Sequence, residues 1–552
     1  MRDLYKSKPV FWVLFVLFLV VWFYALGART LVPSDEGRYA ELAREMSVTG
    51  DWITPRLDAL KYFEKPPLQT WMNALTFEVF GLGEWQARLW SGLCGLLGVA
   101  LVFNAGRRVF NPWVGTTAAI VLASSLYWSA LAHINVLDMG LSGMMCLTLC
   151  GMLLAQRDDA SASERRNWMW ASWAGMALAF LSKGPIGIVL PGAVLVLYTV
   201  LSRDWKIWTR LHLVSGLILL FVIAAPWFVL VALKNPEHPR FFFYHENIER
   251  FTSTVHHRDG PIYYFIPILI AGIVPWLGLF FQSLWAGRHE ATPTTFRPKL
   301  MLLIWAGFIF FFFSISSSKL PHYILPIFPA LALLLACYLQ KASARSWNIA
   351  AGLVVLIALA GFYLVVRLPH FGHEEQEIAG YTAAQPWGIA ACSIMLVASL
   401  FVFWLTRKKH AELATLATMA LAAGGFFGTA AIMLGTEPYG QYRAGYLMVP
   451  AITAELTPQT TLYTIGTYEQ SLPFYLRRTM INVGETNDEL DFGLKQEPEL
   501  GVKDIDAFIP RWSVPQKAVA IMRPKDYAEL QQRGVKMRVI VQDPRRVVVT
   551  NQ

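Results

Sequence analysis

The chain has 552 residues, 55% of them hydrophobic and 15% charged, with a mean hydropathy of +0.42. A chain this apolar and this long is not a soluble multi-domain protein; it is an integral membrane protein. The formal net charge of +9 does not argue for nucleic acid, because the Lys and Arg residues gather in short clusters between apolar runs, where charge sets orientation.

After the basic "MRDLYKSK", the apolar run of residues 10–28 exceeds a signal-peptide core, and "ALGART" lacks a small-x-small cleavage site. It reads as an uncleaved first span. A window of about 19 residues then gives candidate spans at 86–105, 113–132, 139–156, 168–185, 186–202, 211–233, 261–284, 300–316, 323–340, 348–366, 386–405 and 412–434. With the first span this makes about 13 transmembrane helices, so the two ends lie on opposite sides. The weakest boundaries are the split of 168–202 at "SKGP" and the stretch 69–85, which reads as a surface helix or as part of a span.

Positive charge recurs at every second connection: Arg2, Lys6 and Lys8; Arg107 and Arg108; Arg157, Arg165 and Arg166; Arg203, Lys206 and Arg210; Arg288, Arg297 and Lys299; Lys341 and Arg345; Arg407, Lys408 and Lys409. These connections belong to the cytoplasm together with the N-terminus. The others, and everything after about residue 435, face the periplasm or cell exterior. The domain reading is a transmembrane part, 1–434, with a first outer loop at 29–85 and another at 235–260, followed by a soluble part, 435–552. In the soluble part, "TTLYTIG", "KAVAIMRP", "VKMRVIVQD" and "RRVVVTN" read as strands and "PKDYAELQQRG" as a helix, which gives a small α/β domain. It lacks a phosphate-binding glycine loop and a catalytic triad signature.

Chemistry-bearing residues collect in the outer connections. In "LVPSDEGRYAELAREM" Ser34 or Asp35 can cap a helix whose acidic first turn suits the dipole. Alternatively, one of these carboxylates is a general base or binds a sugar at the lipid edge. Lys65 of "FEKPP" either snorkels to headgroups or grips a lipid phosphate, as does Arg38, one turn from Asp35. Asp138 in "INVLDMG" lies at or within the outer membrane boundary, where a carboxylate is costly unless it is paired or functional. Lys183 and Lys319 sit at outer helix ends beside prolines. In "YHENIERF", His245, Glu249 and Arg250 have helical spacing. No HExxH-type signature is present; His245 with Glu64 is a candidate zinc pair, set against an ordinary polar surface. The five cysteines all fall within apolar segments, as buried small hydrophobes do.

Taken together, "PSDEGRYAELAREM", "GDWITPRLDALKYFEKPPLQTW", "LD" at 137–138, "SKGP" and "SSSKLPHYILPIFPALA" resemble the bacterial lipid A aminoarabinose transferases. These are polyprenyl-phosphate-dependent glycosyltransferases of the GT-C fold, related to protein O-mannosyltransferases. The resemblance covers about residues 10–340 and thins over the C-terminal domain.

The resemblance implies transfer of 4-amino-4-deoxy-L-arabinose from undecaprenyl phosphate to a lipid A phosphate at the periplasmic face of the bacterial inner membrane. The added amine gives resistance to polymyxin and cationic antimicrobial peptides. On matching positions, Asp35 and Asp138 are the catalytic-site carboxylates. Lys65 and Arg250 hold the polyprenyl phosphate, with Arg38 and Tyr323 in support. The sequence requires no cofactor, and the one candidate is a divalent metal such as zinc. The acceptor phosphate is already nucleophilic, so the carboxylates serve positioning and electrostatics as readily as proton transfer. Two alternatives stay open: a related transferase such as a protein O-mannosyltransferase, and a lipid or solute transporter, although no internal repeat supports the latter.

Overall fold

The computed structural model describes residues 8–249, 260–288, 295–484 and 488–552. By contact these form two compact units. One contains the chain up to Leu26, Arg88–Leu368 and Gln385–Gly435; the other contains Gly27–Ala87, Pro369–Ala384 and Thr436–Gln552.

The first unit is helical. A helix or a helix pair occupies every expected span, from Lys8–Gly27 to Leu413–Gly435. Among the described residues, eight helices are long and apolar enough to cross a membrane, or ten when each of two bent pairs is taken as one span. Trp12–Gly27 and Ile186–Ser202 are apolar but shorter. Length and apolarity alone thus carry eight to ten of the thirteen expected spans, because a sliding window also accepts short runs and runs with charged ends.

The two bent pairs explain how broken helices persist in an apolar setting. Pro112–Ser124 and Leu126–Ala132 meet at 66°, and Phe265–Gly272 and Leu277–Gly287 at 106°. A break frees backbone groups that lipid cannot satisfy. Here the Leu126 N–H donates to the Val274 carbonyl at 3.0 Å, and the Trp276 indole N–H donates to Ser124 Oγ at 3.3 Å. Each break therefore supplies the other's partner. Gly425 admits this junction: a Cβ there would come 2.5 Å from the Ser124 carbonyl oxygen and 2.6 Å from Pro275.

Helix Leu137–Ala155 is the buried axis of the unit, with 94% of its apolar window enclosed. It packs on Ala162–Lys183 through small residues, as membrane helices do. Gly151 faces Ser172, Gly175 faces Thr148, and Ser172 Oγ donates to the Thr148 carbonyl at 3.0 Å. The expected split at "SKGP" is present: one helix ends at Lys183 and the next begins at Ile186, with Gly184 at φ 86°.

The second unit is mixed. The segment 69–85 forms a separate helix, Leu68–Phe80, that stops at Gly81. Helix Asp35–Thr49 begins with Asp35 and Glu36 and ends at Gly50 with φ 69°, a left-handed position suited to glycine. The expected Ser34 cap is not made. Instead, Glu36 reaches back and accepts from the Val32 N–H at 3.2 Å, which satisfies a backbone donor just ahead of the helix. Strands β1 (Arg56–Leu57) and β2 (Leu60–Lys61) form a tight hairpin with positive φ at Asp58 and Ala59.

Residues Thr436–Gln552 build a five-stranded sheet in the order β4-β3-β5-β7-β6, from β3 (Thr461–Ile465), β4 (Ile481–Val483), β5 (Ala518–Met522), β6 (Arg538–Gln542) and β7 (Val547–Thr550). β3 runs parallel to β4 and β5, whereas β7 is antiparallel to β5 and β6. Apolar clusters cover both faces, which is why β5 and β7 are buried at every position. The four strands expected from sequence are present; β4 went unread because three residues give no alternation to detect.

The contact grouping places residues 27–87 with the C-terminal segment, whereas the sequence reading grouped 29–85 with the transmembrane part. Leu31, Ala40, Ala43, Met46, Ala74, Phe77 and Phe474 share one apolar cluster. Hydropathy separates membrane from loop, but it does not say which loop packs on which domain.

Candidate active site

In the helical unit, Asp138 lies in the first turn of helix Leu137–Ala155 and is only 3% exposed. The Lys183 ammonium donates to its Oδ1 at 2.5 Å, and His322 Nε2 lies 3.3 Å from its Oδ2. The acid is therefore ion-paired. Lys183 Nζ also sits 4.3 Å from the centroid of the Tyr323 ring, a cation–π contact that partly replaces lost hydration. Tyr323 packs on Phe313, with centroids 5.1 Å apart, and the turn Pro321–Ile327 carries both His322 and Tyr323. Lys319 is occupied by the Ser316 carbonyl at 2.5 Å.

In the mixed unit, Arg38 is 5% exposed. One terminal nitrogen donates to Asp35 and the other to Glu489 of helix Asp488–Gln496. Gln470 Nε2 donates to the second Glu489 oxygen at 2.7 Å. Burial opposes the Arg38 charge, but the surrounding Tyr62, Tyr39, Asp35 and Glu489 outweigh it and hold its pKa well above the ordinary value. Lys65 and Glu64 belong together: Nζ donates to the Glu64 carbonyl at 2.9 Å and lies 3.8 Å from its carboxylate. The Tyr62 hydroxyl donates to the same carboxylate at 3.2 Å.

The two residues of the candidate zinc pair each have a partner of their own. Glu64 meets Tyr62 and Lys65, and His245 Nδ1 lies 2.7 Å from Glu249. Arg250 lies outside the described residues. Among the described residues, three carboxylates that sequence reading did not single out, Glu41, Glu45 and Asp58, bring oxygens within 4.8 Å of one another. Protein donors already engage them. Arg44 grips Glu41 at 2.5 and 2.7 Å, and Glu45 accepts from the Asp58 and Ala59 N–H groups at 2.6 and 2.9 Å. Asp58 accepts from the Met480 N–H at 3.0 Å. Glu45 thereby fixes the two left-handed residues of the β1–β2 turn, which cost about 1 kcal/mol or more each. Burial and neighbouring Glu41 push Glu45 up to about 8, against the pull of the Ala59 N–H, Arg44 and the Asp58 N–H.

Sequence reading brought out Asp35, Arg38, Asp138, Lys183 and Tyr323, and the structure joins them as Asp35–Arg38 and as Asp138–Lys183–Tyr323. It missed His322, Gln470 and Glu489. His322 adjoins Tyr323 in a quoted motif, so a signal existed. The other two lie in a segment without a recognisable signature.

An undecaprenyl phosphate-alpha-4-amino-4-deoxy-L-arabinose arabinosyl transferase of Edwardsiella ictaluri is 28% identical over 93% of each chain. A transferase of the same description from Erwinia tasmaniensis is 30% identical over 74% of each chain. The chain belongs to the undecaprenyl phosphate-aminoarabinose arabinosyl transferase family. The crystal structure of ArnT from Cupriavidus metallidurans bound to undecaprenyl phosphate superposes with a TM-score of 0.93, at 42% identity and 99% coverage of both chains. Residues 448–551 match the aminoarabinose transferase C-terminal domain, and residues 64–229 match the dolichyl-phosphate-mannose-protein mannosyltransferase family. An archaeal oligosaccharyltransferase, AglB from Archaeoglobus fulgidus, shares the fold at a TM-score of 0.52 and 12% identity, over 93% of this chain and 70% of its own. The family is one of multi-pass membrane glycosyltransferases with the GT-C fold, which removes the transporter alternative.

Proposed function

We propose that this chain transfers 4-amino-4-deoxy-L-arabinose from undecaprenyl phosphate to a phosphate of lipid A, at the periplasmic face of a bacterial inner membrane. Such a transfer lowers the negative charge of lipid A and so confers resistance to polymyxin and cationic peptides. The observation that carries the reading is the near-complete match to a relative crystallised with undecaprenyl phosphate. The alternation of basic connections supports the orientation.

In this transfer an acceptor phosphate oxygen attacks the anomeric carbon as the bond from that carbon to the donor oxygen breaks. The electron pair departs on undecaprenyl phosphate. Charge grows on the leaving phosphate, so fixed cations lower the barrier; Lys65, Arg250 and Arg38 serve there, with Tyr323 in support. Asp35 positions Arg38, Asp138, paired with Lys183, orients the sugar's amine, and the attacking phosphate needs no base. Zinc, held by Glu64 or by His245, would supply further positive charge for a phosphate. Loss of transfer on chelation, restored by zinc alone, is the result expected of that role.

The test is mass spectrometry of lipid A from a strain lacking its own transferase, complemented with wild type or Asp138→Ala at matched expression. Wild type adds aminoarabinose and the variant does not. If wild type adds none, the donor and acceptor assignment falls; full modification by the variant removes Asp138 from the mechanism.

A further inference from the structure

Helix Asp488–Gln496 is seated on the first loop along its length. Phe492 meets Phe63 with ring centroids 5.7 Å apart. Gly493 permits the approach, since a Cβ there would lie 2.8 Å from both Leu60 Cβ and the Lys61 carbonyl oxygen. Beyond the helix, Glu497 accepts from both terminal nitrogens of Arg56 at 3.1 Å and from the Lys61 N–H at 3.1 Å. Near its start, Glu489 takes Arg38.

The two residues behind Arg38 come from one edge of the sheet. Gln470 follows β3 and Glu489 follows β4, and these strands are parallel, so their carboxyl ends share an edge. That edge is where open α/β sheets place ligand-binding residues. Here it meets helix Asp35–Thr49 instead, closely enough that a Cβ on Gly37 would lie 2.7 Å from the Gln470 carbonyl oxygen. Arg38 is thus gripped at both terminal nitrogens. Its Nε is buried and has no protein acceptor among the described residues, an expensive state for a donor unless a substrate oxygen completes it.

From this geometry we infer that Glu489, braced by Gln470, is a positioning residue for transfer: it fixes the Arg38 guanidinium so that its remaining donor meets an anionic oxygen of the substrate. The inference rests on the proposed transferase reading with Arg38 in a phosphate-binding role. The C-terminal domain then takes part in transfer through Arg38.

The full-length protein in detergent, with polyprenyl-phosphate aminoarabinose as donor and lipid A as acceptor, tests this. Glu489→Gln keeps shape but removes charge; it should lower kcat/KM about tenfold, the size of one charge-assisted hydrogen bond. Glu497→Gln, which loosens the same helix without touching Arg38, should lower thermal stability but leave kcat/KM within about twofold, as substitutions remote from the reacting groups do. In an Arg38→Lys background, Glu489→Gln should add little, because coupled residues are non-additive. Should Glu489→Gln fail to fold, Gln470→Met removes only the brace and should lower kcat/KM severalfold, with the same loss of effect beside Arg38→Lys. Equal kinetic losses from Glu489→Gln and Glu497→Gln, or full additivity with Arg38→Lys, would overturn the inference. An inactive wild type would instead overturn the transferase reading beneath it.

Discussion

The two polar clusters solve opposite charge problems. In the helical unit, one acid, Asp138, is shared by two bases, Lys183 and His322, with an aromatic ring against the lysine. In the mixed unit, one base, Arg38, is shared by two acids, Asp35 and Glu489, and Arg44 stands among Glu41, Glu45 and Asp58. In the apolar unit charges come close to balancing, as low dielectric demands. The mixed unit tolerates an excess of acid by burying carboxylates that accept backbone N–H groups or hold a proton.

Removing the base from the balanced cluster should do the most damage. Lys183→Met leaves Asp138 buried beside His322 alone and should cost on the order of 3–5 kcal/mol, read as a lower unfolding midpoint in detergent and a lower membrane yield. Arg38→Gln leaves two acids facing each other; a loss of about 2–3 kcal/mol is expected from its charge-assisted bonds, together with loss of aminoarabinose on lipid A. A midpoint unchanged in both variants would mean that neither cluster is structural.

The acid excess also has a pH signature. The Glu45 carboxyl is raised from 4.5 to about 8, so the folded protein keeps a proton there that the unfolded chain releases. Its contribution is fully present below pH 4.5 and is lost as pH rises toward about 8. Glu45→Gln should therefore flatten the fall in thermal midpoint between those limits, and an unchanged slope would assign that fall to other groups. The smallest effect belongs to Tyr323. Tyr323→Phe keeps the ring over Lys183 and should change stability by less than about 0.5 kcal/mol, whereas Tyr323→Leu should lose about 1 kcal/mol of cation–π attraction, measured on the same unfolding scale.

What sequence made readable follows the same division. Apolar period and alternating charge locate the helices, and the expense of a carboxylate at membrane depth singles out Asp138. The pairing with Lys183 needed the fold, because it joins the start of one helix to the end of the next across a connection. Arg38 with Asp35 was readable as neighbours one turn apart; Glu489 was not, since nothing in "NDELDFGLKQ" distinguishes a latch from a solvated helix face. Nothing in the spacing of Glu41, Glu45 and Asp58 shows that the hairpin turn brings Asp58 to the other two.

The facing helix breaks have a consequence for biosynthesis. The Leu126 N–H donates to the carbonyl of Val274, a residue made much later. At about 5–20 residues per second, the first broken segment waits roughly 7–30 seconds for its counterpart. Throughout that interval an open backbone donor stays in or beside the bilayer, so the earlier helices have to be sheltered by the insertion machinery or by water until the later pair arrives.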